Sequence, residues 1–253
     1  MEEKIRAYLA QLEKEHNIEI LLACETGSRA WGFPSPDSDY DVRIIYRHPV
    51  DWYLSLNEQK DSIEQMLDNN EIDISGWDLK KSLNLLWKSN SSLMERIKSP
   101  VIYRVDTPFL DGITTLASAT YSRIAAMHHY LGMAKKFLDE IRGRKEYKLK
   151  KLFYALRTAI ACQWILEKDV MPPIVFPVML ENLSLDDRHV KRIYELIALK
   201  AQQSETYLHP DEPELIGLLE KIVLRAEQEY QSLPASRGNM EDMNAFFRKI
   251  LLR

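Results

Sequence analysis

The sequence predicts an α+β protein: a small mixed β-sheet with flanking helices over residues 1–108, followed by an all-α helical domain over residues 109–253. Three observations carry this. The apolar run Ile18-Glu19-Ile20-Leu21-Leu22-Ala23-Cys24 and the β-branched and aromatic run from Tyr40 to Tyr46 read as two strands, with a glycine turn and irregular chain between them. The stretch Glu71 to Trp77 alternates polar and apolar residues, which reads as a third strand with one wet face. After the turn Asp106-Thr107-Pro108 the pattern changes from mixed to helical throughout.

The elements follow in order. Residues 2–16 predict an amphipathic helix, because Ile5, Tyr8, Leu9 and Leu12 recur at helical spacing with Glu and Lys opposite. Gly27-Ser28 turns the chain, and Arg29 to Phe33 reads as a turn or short helix. Pro34-Ser35-Pro36-Asp37-Ser38 is irregular, because each proline also disfavours helix at the residue before it. Arg47-His48-Pro49 ends the second strand, Asp51 to Leu56 reads as helix or loop cover, and Ser62 to Asn70 as polar turn. A helix starts near Asp78 with Leu79, Leu83, Leu86 and Trp87 as its stripe, Leu93 to Lys98 continues briefly, and Val101 to Val105 is a further strand. The rest predicts helices over 111–142, Lys145 to Lys168, and about 174–182, 186–204, 212–231 and 240–252.

Composition bounds the function. The 253 residues are 45% hydrophobic and 28% charged, in the range of a soluble globular protein of one large or two modest domains. A net charge of −4 excludes a globally basic nucleic-acid binder and leaves room for a local basic face. Cys24 and Cys162 sit inside apolar runs and read as buried thiols in a reducing compartment. The charged N-terminus and the lack of an apolar run of membrane length predict a cytoplasmic protein with no membrane partner.

The chemistry gathers where the turn meets the second strand. Asp39 and Asp41 are two apart at the head of that strand, so a period of two places both carboxylates on one face. Such close like charges repel unless a cation lies between them. Hard divalent ions such as Mg²⁺ take oxygen ligands and usually complete their shell with waters and substrate phosphates. The Gly27-Ser28 turn lies opposite, where a glycine lets backbone approach closely and N–H groups with a hydroxyl hold a phosphate. Asp-x-Asp alone is common in loops. Strand, Gly-Ser, Asp-x-Asp and strand at this spacing is a far more demanding pattern, the layout that phosphoryl or nucleotidyl transfer requires.

The pattern Gly27-Ser28, ten residues, Asp39-x-Asp41 resembles the nucleotidyltransferase superfamily that includes DNA polymerase β. The fuller string Glu25-Thr26-Gly27-Ser28-Arg29-Ala30-Trp31-Gly32 with Asp37-Ser38-Asp39-Tyr40-Asp41-Val42-Arg43 is similar to one branch, the YcgL-type or RNA-ligase-associated RNA-repair nucleotidyltransferases. The branch likeness continues through Ile74 to Leu79 and Lys150 to Arg157. The resemblance implies a nucleotidyltransferase that uses an NTP with Mg²⁺ or Mn²⁺, and an RNA ligase as partner. It also implies a third carboxylate on the strand beside the Asp-x-Asp strand. Asp73 fits this role, flanked by Ile72 and Ile74, with Glu71 as the fallback; the role is a metal ligand or an acceptor of the attacking hydroxyl's proton. In this reading Asp39, Asp41 and Asp73 hold metal, and Gly27, Ser28 and Arg29 hold the nucleotide.

A basic cluster runs from Lys135 to Arg157 against three acids. Lys150 and Arg157, seven apart, share a helix face with Tyr154 between them, and Lys151 adjoins. Such a face either grips a triphosphate and stacks a base, tracks RNA, or is simply a solvated helix face. The helical domain is expected to cover the nucleotide cleft. Arg123 and His128 show the Arg-x4-His spacing of HEPN-type RNases, which also arises by chance in helices. His16, His48, His189 and His209 are isolated and read as surface residues. Three function classes follow: nucleotidyl transfer to an RNA end, transfer to a small molecule or protein, and a catalytically silent nucleotide sensor.

Overall fold

Apolar runs, polar caps and tight turns divide the chain into short elements. The computed structural model describes residues 1–235 and 238–253. In chain order it holds α1 (Glu2–His16), β1 (Glu19–Glu25), α2 (Gly27–Trp31), β2 (Tyr40–Arg47), α3 (Val50–Tyr53), β3 (Ser62–Leu67), β4 (Ile72–Asp78), α4 (Leu79–Trp87), α5 (Ser91–Ile97) and β5 (Ile102–Val105). There follow α6 (Thr107–Thr120), α7 (Arg123–Ile141), β6 (Glu146–Lys148), α8 (Leu149–Glu167), α9 (Phe176–Glu181), α10 (Asp187–Lys200), β7 (Leu208–Pro210), α11 (Pro213–Glu229) and α12 (Met240–Leu251). The helix starts obey local chemistry. Asp78, Asn90, Asp106 and Ser122 each cap a helix, their side-chain oxygens accepting backbone N–H groups of the first turn. Asn17 ends α1 in the left-handed conformation, which asparagine tolerates.

The chain divides into two units. The first comprises Met1–Ala30, Asp39–Tyr121 and Ser236–Arg253. Its sheet has the strand order β3-β4-β2-β1-β5. β1 runs antiparallel to β2 and β5, β2 parallel to β4, and β3 antiparallel to β4. Ile5, Leu9 and Leu12 of α1 pack on Ile20, Ala23, Val42, Ile44, Ile72 and Ile74, so one sheet face is the core. β3 corrects the reading of Ser62 to Asn70 as turn. Its alternation is hard to see because it is an edge strand with only Ile63 buried. The turn itself is Asp68-Asn69-Asn70, all at positive φ.

The expected boundary at 108 falls at the start of α6. Asp106-Thr107-Pro108 is the capped start of α6, and α6 stays with the sheet unit up to Tyr121. The end of the chain returns to it: Phe246 of α12 stacks on Phe109 with ring centroids 6.0 Å apart, and Arg253 donates to Asp106. A helical pattern shows that a segment is helix, and leaves open which core it joins.

The second unit comprises Trp31–Ser38 and Ser122–Ala235. α8 packs on α7 and α11. The expectation of a purely helical domain fails at β6 and β7, which pair antiparallel through Tyr147 and His209. Three-residue strands are too short to show a period. Cys24 and Cys162 are buried free thiols, and burial pushes Cys24 up to about 12. Among the described residues no helix is long and apolar enough to cross a membrane.

Candidate active site

The site begins where β1 ends. Glu25 is almost fully buried, and its Oε1 accepts the Asp41 backbone N–H at 2.7 Å. Thr26 donates both its N–H (2.9 Å) and its hydroxyl (3.2 Å) to the Asp41 carbonyl oxygen. The other Glu25 oxygen accepts from the Tyr103 hydroxyl, and Ser99 donates its hydroxyl to the Glu25 carbonyl at 2.6 Å. Burial pushes the Glu25 carboxyl above its ordinary range. The backbone of Asp41 is thus held by the neighbouring strand end.

Gly27 sits at φ +64, and a Cβ there would stand 2.0 Å from Asp41 Oδ2. The glycine was expected to admit a phosphate; the group that approaches it here is the Asp41 carboxylate. Ser28 is buried, while Arg29 lies over the Tyr40 ring at 3.8 Å and donates Nε to the Asp39 carbonyl at 3.2 Å.

β2 and β4 then bring two carboxylates together. Their parallel register sets Asp41 opposite Asp73. Arg43, two residues on from Asp41 and so on the same strand face, bridges them. Its Nη2 donates to Asp41 Oδ1 at 2.7 Å and to Asp73 Oδ2 at 2.8 Å. Its Nη1 donates to the Asp73 carbonyl at 3.0 Å and the Val42 carbonyl at 3.2 Å. Asp39 lies just before β2 and is exposed; Glu71 lies just before β4, exposed, with its carbonyl accepting the Tyr40 N–H at 2.9 Å. Among the described residues no three His, Cys, Asp or Glu side chains are grouped to hold a metal ion. Two of the three expected ligands, Asp41 and Asp73, therefore converge on one cationic group. A second arginine, Arg96, is buried beside the same strands. It lies over the Trp77 ring at 3.3 Å and donates to the carbonyls of Ile44 and Ser75. Burial lowers its pKa, and a guanidinium keeps its charge at neutral pH even so.

In the second unit the expected basic face breaks up. Lys135 pairs with Glu227 at 2.6 Å, Arg142 with Glu220 at 2.9 Å, Lys150 with Glu205 at 2.8 Å and Lys151 with Glu140 at 2.9 Å. The cluster spans two helices and a strand, not one helix. Arg157 is buried, its guanidinium 4.2 Å from the Trp31 ring, so it belongs to packing and not to an exposed stripe. Tyr154 meets Trp31 edge-on at 5.7 Å and Phe137 at 5.2 Å. Phe33 stacks on Phe153 at 4.8 Å.

The segment between the two motif halves is anchored in this unit. Lys200, only 2% exposed, donates to Ser35 Oγ at 2.8 Å. Ser38 donates to Glu205 at 2.7 Å, and Asp37 accepts the Glu205 N–H at 2.9 Å. Burial lowers the Lys200 pKa, while Lys150 and Ser38 hold the Glu205 carboxyl below its ordinary range against the opposing effect of burial.

Arg123 and His128 take separate partners. Arg123 Nε donates to the Ile165 carbonyl at 3.0 Å, and its Nη2 donates to the carbonyls of Ile165 and Leu166 at the end of α8; His128 packs on the Tyr230 ring. His209, read as a surface residue, is buried with its Nε2 2.8 Å from Glu212.

Sequence reasoning missed Glu25, Arg43, Arg96, Lys200 and Glu205. Glu25 and Arg43 lie inside the quoted motif, and the alternation from Asp41 to Arg43 was the available signal for the latter. No spacing links Lys200 or Glu205 to the Pro34–Ser38 segment.

Residues 1–249 match the family model of RlaP, the RNA repair pathway DNA polymerase beta family. The chain is 33% identical over 252 residues to the uncharacterized protein YcgL of Bacillus subtilis (strain 168), with 100% of this chain and 95% of that protein covered. A crystal structure of a nucleotidyltransferase-like protein from Exiguobacterium sibiricum 255-15 is similar at 13% identity and a TM-score of 0.33, over 97% of this chain and 79% of that one.

Proposed function

Because the chain belongs to the RNA repair pathway DNA polymerase beta family, we propose that it transfers a nucleoside monophosphate from an NTP to the hydroxyl of an RNA end, releasing pyrophosphate. The observation that carries the reading is the parallel register of Asp41 and Asp73, whose oxygens meet a single cationic group 2.7 and 2.8 Å away. This donor set is all oxygen and already gathered about a positive charge, so it fits a hard divalent ion. Asp41 and Asp73 are the ligands of this reading, with Asp39 at the head of β2 as the third. A Mg²⁺ or Mn²⁺ ion bound there supplies charge neutralisation for the phosphates.

The chain's own residues do the rest. Gly27 and Ser28, with Arg29, face the β- and γ-phosphates. Asp73 takes the proton of the acceptor hydroxyl. The hydroxyl oxygen then bonds to the α-phosphorus, the bond to the bridging oxygen breaks, and pyrophosphate leaves in line. An RNA ligase is the expected partner.

A second reading has an observation in its favour. The four ion pairs that neutralise Lys135, Arg142, Lys150 and Lys151 leave less positive surface for an RNA backbone. That favours a small-molecule or protein acceptor on the same catalytic residues.

The test offers α-³²P-labelled ATP, CTP, GTP and UTP with Mg²⁺ to total RNA and total protein of a bacterial lysate, with Asp39→Asn/Asp41→Asn as control. Label on RNA, absent in the control, is the expected result. Label on protein or in a small-molecule fraction selects the second reading, and label retained by the control removes the site assignment.

A further inference from the structure

We infer that Arg43 is a built-in counter-ion for Asp41 and Asp73, so that a divalent ion binds there by exchange against its guanidinium. The inference rests on the reading of these two aspartates as metal ligands.

The register of β2 and β4 forces Asp41 and Asp73 to be neighbours whether or not a metal is bound. Their side chains are each 33% exposed and that of Arg43 is 17% exposed, so the charges are only partly screened by water. Two carboxylates this close would repel. The guanidinium removes that conflict by serving both with one nitrogen. Its other nitrogen is tied to two backbone carbonyls, of Asp73 and Val42, and these contacts do not depend on the carboxylates. The fork is therefore divided: one prong is fixed to the strand backbone and the other occupies the position between the acids. A lysine could not do this, having one point of charge and no planar fork.

An ordinary strand ion pair would need only one acid. Here the same nitrogen meets both acids, leaving neither oxygen to a second cation at that point without displacing it. Two consequences follow. The two carboxylates are held aligned before the ion arrives. Affinity for the ion alone is lowered by the energy of the two charge-assisted hydrogen bonds that must be given up.

The test measures Mn²⁺ binding by the loss of the free-ion signal in electron paramagnetic resonance, on the full chain without nucleotide. The proteins are the wild type, Arg43→Gln, Arg43→Lys and Asp41→Asn, each checked for folding by circular dichroism. We expect Arg43→Gln to bind Mn²⁺ at least tenfold more tightly than wild type, and the gain to persist at 0.5 M KCl, where a long-range charge effect is screened. Arg43→Lys, the variant that keeps the charge, should fall between the two, and it carries the test if the glutamine variant does not fold. Asp41→Asn should not bind. Equal affinity of the wild type and the Arg43 variants, with Asp41→Asn silent, overturns the counter-ion role and leaves the metal site standing. Weaker binding by both Arg43 variants also overturns it, since the arginine would then organise the site. Lack of saturable Mn²⁺ binding by every protein overturns the metal reading itself, and the inference with it.

Discussion

Gly27 and Asp41 occupy each other's space: the carboxylate Oδ2 lies where a Cβ on residue 27 would be, 2.0 Å away. The glycine of the motif is therefore tied to the aspartate fourteen positions on, through a backbone at φ +64 that other residues adopt only with strain. Gly27→Ala should cost about 1–3 kcal/mol of stability. Its larger effect should be on transfer, with a loss of about 100-fold or more, because the Asp41 carboxylate must move. Chemical denaturation and nucleotide-transfer rates check the two parts. A variant with wild-type turnover would remove the link between the glycine and the carboxylate.

The third carboxylate can be assigned by substitution. Asp73 faces Asp41 across the β2–β4 register, whereas Glu71 precedes β4 and offers its backbone carbonyl to Tyr40. Asp73→Asn should lower transfer by about 1,000-fold or more, the scale of a lost acid–base or charge-stabilising group. Glu71→Gln should stay within about threefold of wild type. The reverse order of effects would make Glu71 the third carboxylate.

Lys200 and Glu205 should matter to stability though they lie far along the chain from the motif. Glu205 accepts from Ser38 and Lys150 and lies 3.9 Å from the buried Lys200 ammonium. Glu205→Ala removes the carboxylate facing that ammonium and leaves its hydrogen bond to Ser35, and should cost about 3 kcal/mol, the scale of a broken buried pair. The doubly altered Lys200→Met/Glu205→Ala protein should recover part of this, since the uncompensated charge is gone. Urea unfolding of the single and double variants measures it; equal losses in both would mean that the charge is not the cause.

His48 sets a pH dependence. It stacks on Trp52 at 4.1 Å and meets Tyr46 edge-on at 5.4 Å. Burial, with the nearby His16 charge, lowers its pKa from 6.5 to about 4. A depressed folded-state value means that the native state resists protonation. The contribution is fully present above about pH 6.5 and is lost as pH falls toward about 4. After allowance for solvent screening the loss is on the order of 2 kcal/mol. Denaturation midpoints at pH 7 and pH 4.5 should therefore differ less for His48→Gln than for wild type. An unchanged difference would show that other groups govern this acid limb.

Much of this was legible in the residues themselves. Local rules act over a few positions, so the apolar runs of β1 and β2, the alternation of β4 and the helix start near Asp78 could be read directly. The Gly27-Ser28 and Asp39-x-Asp41 spacing carried the family resemblance, because a motif confined to one turn and one strand end needs no distant partner to be recognised. β3 escaped because a half-exposed edge strand has too few buried side chains to show a period, and β6 with β7 because three residues show none.

What only the tertiary structure decided was partnership across sequence distance. The pairing of β2 with β4 sets Asp41 against Asp73, and nothing in the separation of those residues announces a register. The same pairing turns Arg43 from one more strand residue into a bridge between two acids. The burial of Arg157 under Trp31, and the hold of Lys200 and Glu205 on the Pro34–Ser38 segment, convert apparent surface charge into packing. A sequence shows which side chains can ionise and which segments carry a regular pattern. Whether two charges neutralise each other depends on a distance of a few ångströms, and that distance exists only after the chain has folded.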